Sequence, residues 1–424
     1  MKYENYVIKG NFIYSKSKEE MICQENAYLV YEDGLCAGVF EQLPEKYSDM
    51  PCKDYGDCVI IPGMSDLHVH APQYSFRSLG MDMELIDWLN AHAFPEECKF
   101  QDLEYAKKAY SIFVNDLVNS TTTRASIFAT LHKDATLLLM ELLEEAGIKC
   151  YVGKVSMDRN SPDYLREESP EEAAKVTEQW FLEAERFENV RQILTPRFIP
   201  SCSDELMKKL SQLQKKYELP MQSHLSENFG EIEWVKELCP ESKFYGDAYH
   251  QFEMFGGDCP TIMAHCVHCS EDEIQLMKEQ GVFVAHCPQS NTNICSGIAP
   301  VRTYMEEGLK VGLGSDVAGG VHLSIMRAMT DAIQCSKLRW RMYDQSLEPL
   351  NFEEAFYLAT KGGGEFFGKV GSFEEGYEMD LVVLDDSNLP HPQELSLKER
   401  LERIVYLGDD RNVKDKYSGG NQVK

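Results

Sequence analysis

Val59-Ile60-Ile61-Pro62-Gly63-Met64-Ser65-Asp66-Leu67-His68-Val69-His70 is an apolar run that ends in two histidines spaced i, i+2. A strand sends alternate side chains to one face, so His68 and His70 project together, close enough to share one metal ion. Two imidazoles do not complete such a site. A divalent metal that activates water takes about three or four ligands and keeps an open position, so further ligands must come from elsewhere in the chain.

Before this run, short alternating stretches at 6–14 and 27–31, with Gly and Asp at the breaks, carry strand and turn chemistry. After it the texture changes. Apolar strands are expected at 59–65, 121–129, 149–157, 192–198, 221–224, 261–266, 282–287 and 310–314, and helical periodicity lies between them at 103–117, 135–146, 170–187, 203–217, 231–238, 271–280 and 301–307. Eight strands, each followed by a helix, over about 260 residues fit an α/β chain closed as a (β/α)8 TIM barrel, with a doubly wound open sheet as the alternative. Segments 379–384 and 404–408 return to strand character and are expected to rejoin the N-terminal strands. The expected organisation is a barrel over 59–370 and a small discontinuous β domain built from 1–58 and 371–424.

Composition narrows the functional classes. With 43% hydrophobic and 11% aromatic residues the chain is not a disordered one, and no apolar run approaches the ~20 residues that cross a bilayer. Asp and Glu outnumber Lys and Arg by 70 to 42; the net charge of −28 repels phosphate backbones and anionic lipid, so neither nucleic acid nor membrane is expected as a partner. Met1-Lys2-Tyr3-Glu4-Asn5-Tyr6 holds no apolar segment suited to a signal peptide, and the fourteen cysteines form no small secreted framework. A cytoplasmic location is expected.

Barrel enzymes work at the C-terminal ends of their strands. There the sequence places His68 and His70 on the first strand, His224 on the fifth, His265 on the sixth, His286 in the seventh and Asp316 after the eighth. Imidazoles with a carboxylate suit Zn2+ or Fe2+, whose charge lowers the pKa of bound water toward ~7 and so points to hydrolysis. Glu227, three residues after His224, is placed to move protons between that water and a ring nitrogen or leaving amine. His286 is also read as a residue that orients neighbours from outside the ligand set. His92, His132, His250, His268, His322 and His391 lack partners at ligand spacing and read as surface or packing residues. Cys266-Val267-His268-Cys269 is a lone C-x-x-C and a weak zinc signal, and the glycines at 312–315 and 362–364 match no phosphate-binding spacing.

Strand-end H-x-H after Pro62-Gly63-Met64-Ser65-Asp66, the later His224-x-x-Glu227, His265, the stretch His286-Cys287-Pro288-Gln289-Ser290-Asn291 and Gly314-Ser315-Asp316 together resemble the amidohydrolase superfamily. Within it the chain is most similar to the guanine deaminases. The longer matches are at 70–74, 83–89, 94–97, 195–198, 222–228, 316–320 and 406–412. The Thr run at 121–123 follows Asn119-Ser120, where the superfamily commonly has Gly.

The resemblance implies hydrolytic deamination of guanine to xanthine and ammonia, and one Zn2+ per subunit (Fe2+ as the alternative) held by His68, His70, His224 and Asp316. His265, Glu227 and Asp316 would be catalytic. Gln73 and Arg197 would read the purine, Phe198 would offer its ring as a flat surface, and His70, His224, Glu227 and Asp316 would also touch it. Guanine is the implied small-molecule partner and a homodimer the implied assembly. The rivals are another zinc-dependent deaminase or chlorohydrolase acting on a different purine, pyrimidine or triazine, and a scaffolding relative that lost catalysis. Gln73 with Arg197 argues against the first, and the complete ligand set against the second.

Overall fold

The computed structural model describes residues 5–424. Strands from both ends of the chain form one seven-stranded sheet, in the order Asn421–Gln422, Val413–Ser418, Leu381–Leu384, Cys52–Pro62, Tyr6–Ser15, Met21–Glu32, Leu35–Phe40. Pairing is antiparallel except between Tyr6–Ser15 and Cys52–Pro62. Val59, Ile61, Val382 and Leu384 join the main core, whereas Cys58, Ile60, Leu381 and Val383 join a second cluster on the opposite face. Burial on both faces explains why this strand reads as continuously apolar.

The opening run is thus two strands, and the single barrel strand expected at 59–65 is corrected. Residues 59–62 pair with Leu381–Leu384 in the β sheet, and the first barrel strand is Met64–His70. The chain changes sheets at Gly63, whose N–H bonds to Asp380 O at 3.0 Å while the Met64 N–H bonds to Thr121 O at 3.0 Å. Any Cβ at 63 would run into the Thr123 side chain.

Met64–His70, Thr122–Phe128, Cys150–Gly153, Val190–Gln192, Met221–Leu225, Thr261–His265, Phe283–His286 and Lys310–Leu313 form the barrel in sequence order, with every paired neighbour parallel. The expected third and fourth strands are each interrupted, continuing as Val155–Ser156 and Thr195–Pro196, which pair with one another. A Leu194–Met221 bridge joins the fourth strand to the fifth. The ring closes through Asp316 N to His68 O at 2.8 Å and His70 N to Val317 O at 3.1 Å. Leu67, Ile193, Ile262, Ala264, Phe283, Ala285 and Phe366 fill its interior.

The expected helices are present, and several start at side-chain caps: Asp102 before Leu103–Asn119, Ser169 before Pro170–Ala184, Ser203 before Asp204–Tyr217 and Ser270 before Glu271–Gln280. The strand expected at 404–408 is instead the end of helix Leu397–Leu407. A Ser396–Glu399 capping box starts it, and Leu397, Leu401, Ile404 and Val405 recur at helical spacing on its buried side. The final β-sheet strands lie further on, at Val413–Ser418 and Asn421–Gln422.

Polar ties hold the β sheet against the starts of the barrel strands. Arg124 Nε and Nη2 donate to Asp380 at 2.6 and 2.9 Å, with both side chains buried. Lys416 Nζ donates to the carbonyls of Leu117, Ser120 and Thr122 at 2.6, 3.1 and 2.9 Å. No helix among the described residues is long and apolar enough to cross a membrane.

Candidate active site

The strand ends carry the predicted donors to one mouth. His68 Nε2 lies 3.2 Å from Asp316 Oδ1, His70 Nε2 lies 3.6 Å from the same oxygen, and His70 Nε2 faces His224 Nε2 at 3.3 Å. His68, His70 and Asp316 form one group able to hold a metal ion, and His68, His224 and His265 another. Both nitrogens of His68, and Nδ1 of His70, are buried without a protein hydrogen-bond partner. Burial holds the His68, His70 and His224 imidazoles well below their usual range, hence neutral. Neutral imidazoles converging on a carboxylate, each with a lone pair on one ring nitrogen and with several ring nitrogens left without a hydrogen-bond partner, fit a divalent metal.

Surrounding groups fix these ligands. His224 Nδ1–H donates to the Arg197 carbonyl at 2.6 Å, which leaves Nε2 free to ligate. Asp66 accepts the His68 N–H at 3.2 Å, the Ser315 N–H at 3.0 Å and the Ser315 hydroxyl at 2.5 Å, tying the first strand to the loop that carries Asp316. Burial pushes the Asp66 carboxyl up to about 7. Gly314 lets these strands close, since a Cβ there would sit 2.8 Å from Cys287 Sγ.

His265 and Asp316 hold left-handed backbone, at φ 72° and 44°, which costs on the order of 1–3 kcal/mol per residue and persists only where the surroundings enforce it. His265 Nδ1–H donates to Asn291 Oδ1 at 2.9 Å, so Nε2 looks toward Glu227 Oε2 at 3.4 Å and Asp316 Oδ2 at 3.7 Å. Glu227 accepts the Ser296 hydroxyl at 3.1 Å and donates its own N–H to Glu231 at 2.8 Å. Burial, followed by the charge of Asp316, raises the Glu227 carboxyl well above its usual range, as a group that carries protons near neutrality requires.

These groups open into a cavity of about 400 Å³. Its polar wall holds His70, Gln73, Arg197, His224, Glu227, Glu231, His265 and Asp316; Leu85, Trp88, Leu89, Phe198 and Ile294 form the apolar wall. Gln73, Arg197 and Phe198 line the same cavity as His70, His224, His265 and Asp316. His286 does not line the cavity, and neither ring nitrogen has a hydrogen-bond partner, so the expected orienting role is not carried by a hydrogen bond. Cys266 and Cys269 belong to no metal-like group among the described residues.

Sequence reasoning missed Glu97, Glu231, Asn291 and Asp66 as site residues. Glu231, four residues after Glu227, begins a predicted helix and could have been found by that spacing.

Comparison with known proteins adds an independent measure. Residues 59–423 match the amidohydrolase family. The guanine deaminase of Dictyostelium discoideum is 39% identical over 98% of this chain and 90% of its own, and that of Homo sapiens 37% identical over 99% and 96%. A crystal structure of guanine deaminase from C. acetobutylicum with guanine bound in the active site superposes with a TM-score of 0.96 at 48% identity, covering 99% of this chain and 100% of the other. The chain belongs to the amidohydrolase family, on its guanine deaminase branch.

Proposed function

We infer that the chain is a hydrolase acting on a cyclic amidine C–N bond, and that it converts guanine and water into xanthine and ammonia. The observation that carries this is the buried pair of donors, Gln73 and Arg197, lining one cavity with His70, His224, Asp316 and Glu227. The near full-length similarity to a guanine-bound guanine deaminase supports the same substrate.

His68, His70, His224 and Asp316 would hold one Zn2+ per subunit, with Fe2+ as the alternative. When bound, that metal would supply Lewis acidity and lower the pKa of a water toward neutrality. Arg197 and Gln73 donate to the purine, turning C2 toward the ligand cluster, and Phe198 lies along the ring. Glu227 takes the water proton and passes it to the adjacent ring nitrogen as the water oxygen bonds to C2. His265 Nε2, an acceptor because Nδ1–H is given to Asn291, steadies the attacking water by taking a hydrogen bond from it, and Asp316 helps accept its remaining proton. Glu227 then takes up the proton held by Asp316 and delivers it to the amine, the C2–N bond breaks, and ammonia leaves.

The protein works in the cytoplasm as a homodimer, in purine catabolism. All fourteen cysteines are free thiols, which suits a reducing compartment; sedimentation tests the dimer. Ammonia release from guanine, adenine, cytosine and their nucleosides, with metal-replete protein, tests the substrate. Release from guanine alone is expected, and turnover of a nucleoside but not guanine overturns the assignment.

A further inference from the structure

Behind the polar wall of the cavity, Gln73, Glu97 and Arg197 are buried together, at 2%, 1% and 3% exposure. Arg197 grips Glu97 with two donors, Nη1 to Oε2 at 2.6 Å and Nη2 to Oε1 at 3.0 Å. Gln73 Nε2 donates to the same Oε1 at 2.9 Å, and Gln73 Oε1 accepts the Ala318 N–H at 3.3 Å. Phe94, three residues before Glu97 on helix Phe94–Glu97, places its ring 5.1 Å from Arg197 Cζ. One helical turn therefore holds the guanidinium by its edge with a carboxylate and by its face with an aromatic ring. Glu97 itself does not line the cavity.

This arrangement has two chemical effects. Bidentate pairing consumes two of the five guanidinium N–H groups and fixes where the other three point. The bond from Gln73 commits one amide N–H and turns the carbonyl toward Ala318, so the polarity of that amide is set as well. The carboxylate also cancels the guanidinium charge, so the wall offers hydrogen-bond donors without a net positive charge. A neutral oxopurine meets matched donors there, and an oxopurine anion meets no free cation.

We propose that Glu97 is a positioning and specificity-determining residue: it sets the donor geometry of Arg197 and Gln73 and neutralises Arg197, so that the pocket holds a neutral lactam ring and lets an anionic dioxopurine go. This rests on the assignment of Gln73 and Arg197 as purine readers. The product, xanthine, is the more acidic ring and ionises just above neutrality, so the same device favours product release.

The test is Glu97→Gln in the full-length, metal-loaded enzyme. Metal content should stay stoichiometric while KM for guanine rises ~10- to 100-fold, the cost of a lost charge-assisted contact, with a smaller change in kcat. By calorimetry, the affinity for the xanthine monoanion relative to neutral hypoxanthine should rise about tenfold or more, since the guanidinium is no longer cancelled. In an Arg197→Met background, Glu97→Gln should add a smaller loss in KM than in the wild type, because only the Gln73 contact remains to be perturbed. A role confined to stability would lower the yield of folded protein and leave the ligand ratio unchanged. Wild-type KM together with a wild-type ratio overturns the proposal. If Glu97→Gln is recovered only as insoluble protein, Glu97→Asp keeps the charge but shortens the reach; it should raise KM without altering the ratio, and a wild-type KM there overturns the proposal. Absence of ammonia release from guanine by the unmodified enzyme would instead sink the guanine assignment, a failure the hypoxanthine and xanthine titrations separate from that of Glu97.

Discussion

Replacing Glu227 by Gln removes a proton carrier with little change of shape. The amide oxygen can still accept from Ser296, which now donates to Oε1 at 3.1 Å. The new amide N–H can donate to His265 Nε2, which lies 3.4 Å from Oε2 and is left as an acceptor by the Nδ1–Asn291 bond. No buried polar group is stranded, so the variant should fold. Glu227 touches His265 and Ser296 rather than His68, His70 or His224, so the metal should stay bound at wild-type stoichiometry. Losing a general acid and base slows the chemical step by about 10²- to 10⁴-fold, equal to ~3–5.5 kcal/mol of barrier. The retained His265, Asp316 and metal set the residual rate. The assay is steady-state ammonia release, run beside metal analysis of the same sample. Turnover within tenfold of wild type would remove Glu227 from the proton path, and loss of metal would show that it supports the ligand cluster instead.

Two further perturbations test other parts of the structure. His68→Ala deletes a fully buried imidazole whose ring nitrogens have no hydrogen-bond partner, so bound zinc should fall well below one per chain with the far-ultraviolet circular dichroism preserved; stoichiometric zinc would refute the ligand assignment. Burial pushes Lys416 down to about 7, whereas the unfolded chain titrates near ~10.4. Between those values the unfolded chain binds the extra proton, so this residue's contribution to stability is complete above the unfolded value and declines as the pH falls toward 7. Relative to Lys416→Met, the wild type should therefore gain up to ~1.4 kcal/mol per pH unit as pH rises from 7 toward 10, read from urea midpoints; a flat difference would refute the shift.

The convergence of His68, His70, His224, His265 and Asp316 was legible because each sits at or just beyond the end of an apolar strand, and a closed barrel turns that one-dimensional position into proximity. The division of the opening run at Gly63 was not legible, since 59–62 and 64–70 are both buried on two faces and read alike. The helix at Leu397–Leu407 was obscured by the β-branched pair Ile404-Val405, although the Ser396–Glu399 box was visible as a start signal. Glu97 fell within the 94–97 resemblance but carried no spacing that gave it a role. It stands beside another acid, Glu96, in a four-residue helix, and its partners lie 24 and 100 residues away, so only the folded chain distinguishes it.

The seven-stranded sheet meets the barrel where the strands begin, through Gly63, Arg124 and Lys416, at the end opposite the ligands. The molecule therefore has a foundation and a workbench that share almost no side chains. An engineer seeking a hardier protein would reinforce the foundation and expect turnover to be untouched. One seeking a new heterocycle would reshape the excursion over 71–101, which brings Gln73, Leu85, Trp88 and Glu97 to the mouth, and expect the base to tolerate it.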